Sequence, residues 1–424
     1  MSNSAEHGKH IEFLKYAEEN VPYYIDNNSY NSDVKEWDEI PVLSKKTVRE
    51  NSEKFISERC KREYYMGKLL RKNTSGSTGL FMDILWSIND YSLANREAWK
   101  YRKKWYNIDV NDRYISFHTT LYSSNTFVDE DIDIIEKGVY TSFSKNLLNE
   151  KIHEYISHIK KFKPVWMLVQ PSVLYIMLEL VSADELNVLT DIKYVELTGE
   201  YLQPGMKAEF KKRLPDTAFN NMYGTTETGC VSFQCPYGCN HILNNAYVDI
   251  YEGEKCICSS SERPNNYYGK TGGIVLTNIK NRSMPLIKYD IGDYGSIEKS
   301  NCKCGFKGFD LSVRVGRKGE VIHLPENIMK SSFSLWYPVE SVNYEFNNPI
   351  VKANFCQINP EKIVAYIVLK KEFTNWEKAI KTSLVSKLKM YVSPQIDYEV
   401  SFSGLPCLAK LNKQQFFTCL KESE

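Results

Sequence analysis

The sequence predicts an α/β protein in which a large first domain is followed by a small α+β unit. Two observations carry this expectation. From residue 112 onward, short apolar strands alternate with helices: a strand at 112–118, an amphipathic helix at 146–161, a strand at Val165 to Val169, and a helix opening at Pro171-Ser172. A strand at Ile192 to Leu197, a helix at 204–213 and a strand-like Ala218 to Met222 continue the series. Alternation of this kind builds a sheet covered by helices, with ligand-binding loops at the strand ends. After Arg317 a second pattern starts: strand-like Lys362 to Val368, a helix at 375–390, and strand-like Tyr398 to Phe402. The boundary is therefore placed at Gly316 to Gly319, giving domains 1–316 and 317–424; a chain of 424 residues is too long for one ordinary core.

The remaining elements follow in order. Residues 1–60 read as mostly helical with a break at Pro41. Leu80 to Trp86 reads as a strand, so the preceding Thr74-Ser75-Gly76-Ser77-Thr78-Gly79 is expected to turn a hairpin. Residues 87–107 carry Tyr91, Ala94, Ala98, Trp99 and Trp105 at helical spacing, which reads as a core-packing stripe. From about 243 to 300 the chain is strand-rich, with Ile274-Val275-Leu276 as a strand and a turn from Gly292 to Gly295.

Composition excludes several classes. Apolar residues make up 42% of the chain, enough for a sizeable core, and 54 basic against 53 acidic residues leave a formal charge of +1. A broad nucleic-acid footprint would need a basic excess, so no nucleic-acid partner is expected. Met1 to His10 is polar, and the most apolar stretch, Val165 to Val181, is interrupted by Gln170, Pro171, Ser172 and Glu179; no membrane span is expected, and the expected location is cytoplasmic. In that compartment the 11 cysteines point to metal binding rather than to disulfides.

Three motifs suit nucleotide chemistry. The loop 74–79 can wrap a polyphosphate with backbone N–H groups and hydroxyls; it is not a Walker loop, because Leu80 follows Gly79 where that motif needs Lys. In Tyr223-Gly224-Thr225-Thr226-Glu227-Thr228, Tyr223 offers a face for a purine, Gly224 a tight turn, Thr226 a donor to phosphate, and Glu227 a hard oxygen ligand for Mg²⁺. The same residues also read as a helix cap with its capping acid. Tyr289-Asp290-Ile291-Gly292-Asp293 reads as a turn with two acids, able to accept from ribose hydroxyls or to form an Asx turn; Gly316-Arg317 adds a cation.

In this order the motifs, with Thr198-Gly199-Glu200 between them, resemble the adenylate-forming superfamily of acyl-CoA synthetases, adenylation domains and luciferases. The length and cysteine pattern look most like its phenylacetate–CoA ligase and capsule-biosynthesis adenylate ligase branch, over roughly residues 35–420. The resemblance implies a large multi-sheet α/β N-terminal domain with a small mobile α+β C-terminal domain. It implies ATP-dependent formation of an acyl-AMP with release of pyrophosphate, then acyl transfer to a thiol such as coenzyme A. By the same resemblance, residues 74–79 grip the β- and γ-phosphates, and Gly199, Glu200, Asn221, Met222 and Tyr223, with Gly224 and Thr225 beside them, line the nucleotide. Thr226 meets the α-phosphate, Glu227 binds Mg²⁺, Asp293 takes the ribose, Arg317 assists, and the C-terminal domain turns on Lys318-Gly319. The catalytic lysine is matched by Lys410 in Ala409-Lys410-Leu411-Asn412-Lys413, with Lys413 as competitor.

The sequence departs from that pattern at Leu80-Phe81, Gly319, His323 to Asn327 and Ala409, so a carrier protein or an amine stands beside coenzyme A as acceptor. An inactive nucleotide-binding scaffold is the rival from another class. The resemblance places the acid pocket at His118, Tyr122, Trp166, Gln170, Ser172, Tyr175 and Glu196, an aromatic lining suited to an aryl carboxylic acid. Cys235-x₃-Cys239-x-His241 followed by Cys302-x-Cys304 offers a structural Zn²⁺ site, with Cys235, His241, Cys302 and Cys304 favoured and Cys239 as substitute; unmetallated buried thiols are the other reading. A homodimer is compatible with the sequence.

Overall fold

The computed structural model describes residues 8–33, 35–73, 82–118, 133–145, 147–262, 265–317, 321–402 and 416–419. Packing sorts the chain into two compact units, each discontinuous: Met1–Val110 with Asn220–Val313, and Asn111–Phe219 with Arg314–Glu424. The C-terminal segment thus packs as one body with the middle of the chain.

The first unit is built on an eight-stranded sheet. Its strand order is Lys255–Ser259, Ala246–Glu252, Gly272–Asn278, Tyr289–Lys299, Phe309–Arg317, Asn240–Ile242, Gly229–Gln234 and Tyr223–Thr225. Helices Lys9–Asn20 and Lys45–Glu50, with short helical turns between them, supply a core in which Phe13, Leu14, Trp37 and Phe55 meet Tyr247, Leu286 and Tyr289. The helix Ile88–Tyr106 starts where the Ser87 side chain accepts from Asp90 N and stops at Asn107, which takes φ +54°. Its Ala94 and Ala98 are buried as the stripe predicts.

The second unit holds a six-stranded sheet in the order Ile134–Lys137, Tyr140–Ser144, Tyr114–His118, Trp166–Val169, Tyr194–Leu197 and Ala218–Asn221. The strands from Tyr140–Ser144 to Tyr194–Leu197 are parallel, and the helices read from the sequence make the crossovers from Tyr140–Ser144 to Trp166–Val169 and from there to Tyr194–Leu197. Helix Leu148–Phe162 buries Leu148, Ile152, Tyr155, Ile156, Ile159 and Phe162 at three- and four-residue spacing. A four-stranded sheet follows in the order Asp397–Ser401, Lys362–Leu369, Ile350–Asn359 and Phe417–Cys419, packed on helices Trp336–Glu345 and Glu377–Tyr391.

One element differs from expectation. Residues 292–295 are not a turn between strands; they lie inside the strand Tyr289–Lys299. The pairing with the neighbouring strand steps from Val275↔Asp290 to Gly273↔Tyr294, so Ile291, Gly292 and Asp293 form a bulge. Gly292 absorbs it at φ +83°, and Asp290 Oδ1 accepts from Gly292 N at 3.0 Å. The local turn chemistry was legible, but flanking strand pairing keeps the segment in the sheet.

Candidate functional site

In the first unit the strands Leu70–Asn73 and Asp83–Trp86 pair antiparallel, ending at Asn73↔Asp83. The hairpin stems expected around Thr74, Ser75, Gly76, Ser77, Thr78 and Gly79 are therefore present, while the loop itself lies outside the described residues. From the second stem, Trp86 Nε1 donates to Thr226 O at 3.2 Å, joining the hairpin to the Tyr223–Thr228 motif.

That motif is a β-hairpin turn and not a helix cap. Tyr223–Thr225 and Gly229–Gln234 are antiparallel, and Thr225 Oγ1 accepts from Thr228 N at 3.1 Å. Gly224 is required by close approach, since a Cβ there would lie 2.9 Å from Gly229 O. Asn278 Nδ2 donates to Glu227 O and anchors the turn from the end of the strand Gly272–Asn278 in the same sheet. Among the described residues the Glu227 carboxylate accepts no hydrogen bond, and it is half-buried, so its oxygens are available to a hard cation. Tyr223 Oη donates to Asp293 Oδ2 at 2.9 Å. The bulge thus brings Asp293 to the rim of the same turn, and two motifs 70 residues apart meet. Met222 packs against Ala98, Cys230 and Phe233, and Asn221 ends its strand half-buried.

The same unit gathers the cysteines. One ligand atom from each of Cys235, His241, Cys302 and Cys304 lies within 4.8 Å of the others. Cys235 Sγ is 3.5 Å from Cys302 Sγ, and Cys304 Sγ is 3.1 Å from His241 Nε2. A zinc tetrahedron with bonds of about 2.0–2.3 Å separates its ligand atoms by roughly 3.3–3.8 Å. The four donors therefore fit zinc. Cys239 is not among the four, but its thiol is in hydrogen-bond contact with Cys302, and its carbonyl accepts from Cys235 N at 2.9 Å, closing the turn that presents Cys235. Sequence reasoning missed Asp310, whose Oδ1 lies 2.5 Å from His241 Nδ1. Strand pairing of His241 with Asp310 creates this contact, and no spacing rule in the sequence signals it.

The second unit holds the rest of the expected site. Gly199 takes φ +82° beside Gln170, whose Cγ would lie 3.4 Å from an added Cβ. Glu200 accepts from Ser172 N at 3.1 Å and Ser172 Oγ at 2.9 Å, so its carboxylate caps the helix Pro171–Leu180, where an anion is favoured. Two expected acid-pocket residues are engaged elsewhere. Trp166 is buried and stacks on Tyr114 at 4.5 Å between centroids, and Glu196, fully buried, accepts from the Tyr194 hydroxyl at 2.8 Å. Both lie on sheet strands, where burial and pairing, not ligand access, account for them. His118 Nδ1 lies 2.9 Å from Ser142 Oγ, consistent with a structural histidine. Tyr175 packs on the core, and burial pushes its phenol up to about 12. Tyr122, Lys318-Gly319, Lys410 and Lys413 lie outside the described residues, as does the side chain of Arg317, whose backbone ends the strand Phe309–Arg317.

No family model matches the sequence, and no curated protein matches it. Solved structures do. 2-Hydroxyisobutyryl-CoA ligase in the postadenylation state, in complex with R3-HIB-AMP, is similar at a TM-score of 0.66 and 12% identity, over 99% of this chain and 90% of that chain. The same ligase with 2-HIB-AMP gives 0.63 and 13%, over 96% and 88%. A structure from a study of fatty acyl-adenylate ligases of E. coli and L. pneumophila gives 0.50 and 12%, over 80% and 67%. The extent of the first two matches gives this chain the α/β fold of those ligase structures.

Proposed function

We propose that this protein is an ATP- and Mg²⁺-dependent carboxylate ligase that forms an acyl-AMP, releases pyrophosphate and passes the acyl group to a thiol such as coenzyme A. The observation that supports it best is the convergence in the first unit: the hairpin stems meet the Thr226–Glu227 turn through Trp86, and Tyr223 of that turn holds Asp293. In this reading a carboxylate oxygen attacks the α-phosphorus in line, and the bond to the pyrophosphate oxygen breaks. No side-chain nucleophile takes part, so the residues contribute position and charge. Thr226 donates to the α-phosphate, Asp293 accepts from the ribose, Gly199 and Glu200 border the adenine, Arg317 assists, and Lys410 offsets charge on the carboxylate and the bridging oxygen. Glu227 would hold Mg²⁺, which when bound neutralises phosphate charge.

Cys235, His241, Cys302 and Cys304 would hold a structural Zn²⁺; four protein ligands leave no position for water. The acid is assigned by assay. With Trp166 and Glu196 engaged in the sheet, the aryl-acid reading rests on Tyr175 with Gln170 and Ser172, and aryl acids head the panel. A hinge at Lys318-Gly319 and a carrier-protein or amine acceptor belong to the same proposal. No described helix is long and apolar enough to cross a membrane. Acid-dependent ATP–pyrophosphate exchange across aryl, aliphatic and amino acids tests the reading. Exchange with one acid supports it and names the substrate; ATP binding with no exchange across the panel favours the inactive scaffold.

A further inference from the structure

In the second unit, the C-terminal strand Ile350–Asn359 is seated on the segment 199–205 by interactions that adhesion alone does not demand. Gln203, buried at 7% exposure, bridges the gap with both ends of its amide: Nε2 donates to Ala353 O at 3.2 Å, and Oε1 accepts from Ala353 N at 2.9 Å. Gly205 lets two backbones touch. A Cβ there would lie 2.3 Å from Ile350 O and 2.6 Å from Val351 Cα, and no rotamer relieves an overlap with main-chain atoms. Tyr201 meets Trp336 edge to face at 5.5 Å, and Val351 sits in the core formed by residues 115–214.

Lys352 lies between these contacts at 3% exposure, donates no hydrogen bond among the described residues, and is in the field of the Glu200 carboxylate that Ser172 holds. Burial pushes this ammonium down to about 8, partly opposed by Glu200. An aliphatic side chain of similar length would pack there without that penalty. The buried ammonium thus lies in the same seam as the Gln203 and Gly205 contacts.

We propose that Gln203, Gly205 and Lys352 are positioning residues: they latch the C-terminal strand onto the 199–205 loop and thereby hold Gly199 and Glu200 in the arrangement that one half-reaction uses. The inference rests on the adenylation reading for its consequence, but not for the latch.

The test measures hydrogen exchange of the strand Ile350–Asn359 together with the two half-reactions, in the full chain. Gln203→Ala and Gly205→Ala are expected to speed exchange there at least tenfold while the parallel strands of the six-stranded sheet stay protected. They are also expected to shift the ratio of ATP–pyrophosphate exchange to overall acyl transfer at least tenfold. Lys352→Met should shift the ratio in the same direction, and Lys352→Arg should restore most of it. Unchanged hydrogen exchange in Gln203→Ala overturns the latch. Faster exchange with both half-reactions scaled by one factor overturns its role in positioning. If Gly205→Ala does not fold, Gln203→Ala decides alone. A wild-type protein without ATP–pyrophosphate exchange defeats the adenylation reading and the positioning role that depends on it, while the hydrogen-exchange result still decides the latch.

Discussion

Asp310→Asn should loosen the cysteine–histidine site without removing any ligand. The His241 ring has three polar partners: Nε2 is 3.1 Å from Cys304 Sγ, and Nδ1 is 2.5 Å from Asp310 Oδ1 and 3.3 Å from Ser300 Oγ. A carboxylate at that distance orients the ring and turns Nε2 toward the cysteines, where a metal would take it. Phe306 stacks on the ring at 4.3 Å and keeps its plane, so the substitution removes charge while the ring stays in place. Loss of such an outer carboxylate weakens metal binding about 10–100-fold, or about 1.4–2.7 kcal/mol. With zinc at about a thousand times the wild-type dissociation constant, bound metal stabilises the fold by about 4 kcal/mol, and a hundredfold weaker site leaves about 1.4 kcal/mol of that. Competition against a chromophoric chelator reads the affinity, and thermal denaturation with and without chelator reads the stability. Wild-type affinity in Asp310→Asn would refute the orientation argument. Protein purified without zinc, and indifferent to Cys302→Ser with Cys304→Ser, would refute the site itself.

The other expectations concern catalysis and pH. Lys410→Ala should lower ATP–pyrophosphate exchange by about 10²–10³-fold, the usual value of preorganised transition-state charge, while ATP binding measured by calorimetry persists. Asp293→Ala removes an acceptor for the ribose and should raise the KM for ATP by roughly 10–100-fold with a smaller effect on kcat; an unchanged KM removes Asp293 from the nucleotide site. Lys352 sits at about 8 in the folded protein against an ordinary 10.5, so between those values the unfolded chain binds more protons and stability rises with pH. The penalty is fully present below pH 8, and its relief amounts to about 3 kcal/mol by pH 10.5. Lys352→Met should flatten this rise in chemical denaturation series at pH 7 to 10; a slope equal to wild type contradicts the assignment.

The legible parts of this protein are those encoded at short range. Helix Leu148–Phe162 announces itself by the spacing of Leu148, Ile152, Ile156 and Ile159, and the parallel strands by the crossovers between them. The hairpin stems around residues 74–79 follow from small residues between two strand-like runs. The cysteine–histidine group follows from ligand chemistry, because few other roles suit such a cluster. What was misread depends on partners distant in the chain. The acids at 290–293 carry turn chemistry, yet pairing on either side makes them a bulge. Trp166 and Glu196 carry the residue types of a binding pocket, yet neighbouring Tyr114 and Tyr194 claim them for the sheet.

By itself, the sequence determined the α/β class, the order of the motifs and the candidate cysteine–histidine cluster, because period, turn chemistry and donor type are properties of residues and their near neighbours. Only the tertiary structure decided that Asp310 stands behind His241, that Asp293 meets Tyr223, and that the strand Ile350–Asn359 rests on Gly205. Each depends on strand register or on a backbone approach of a few ångströms, and a one-residue slip in register would send the same side chains to the opposite face.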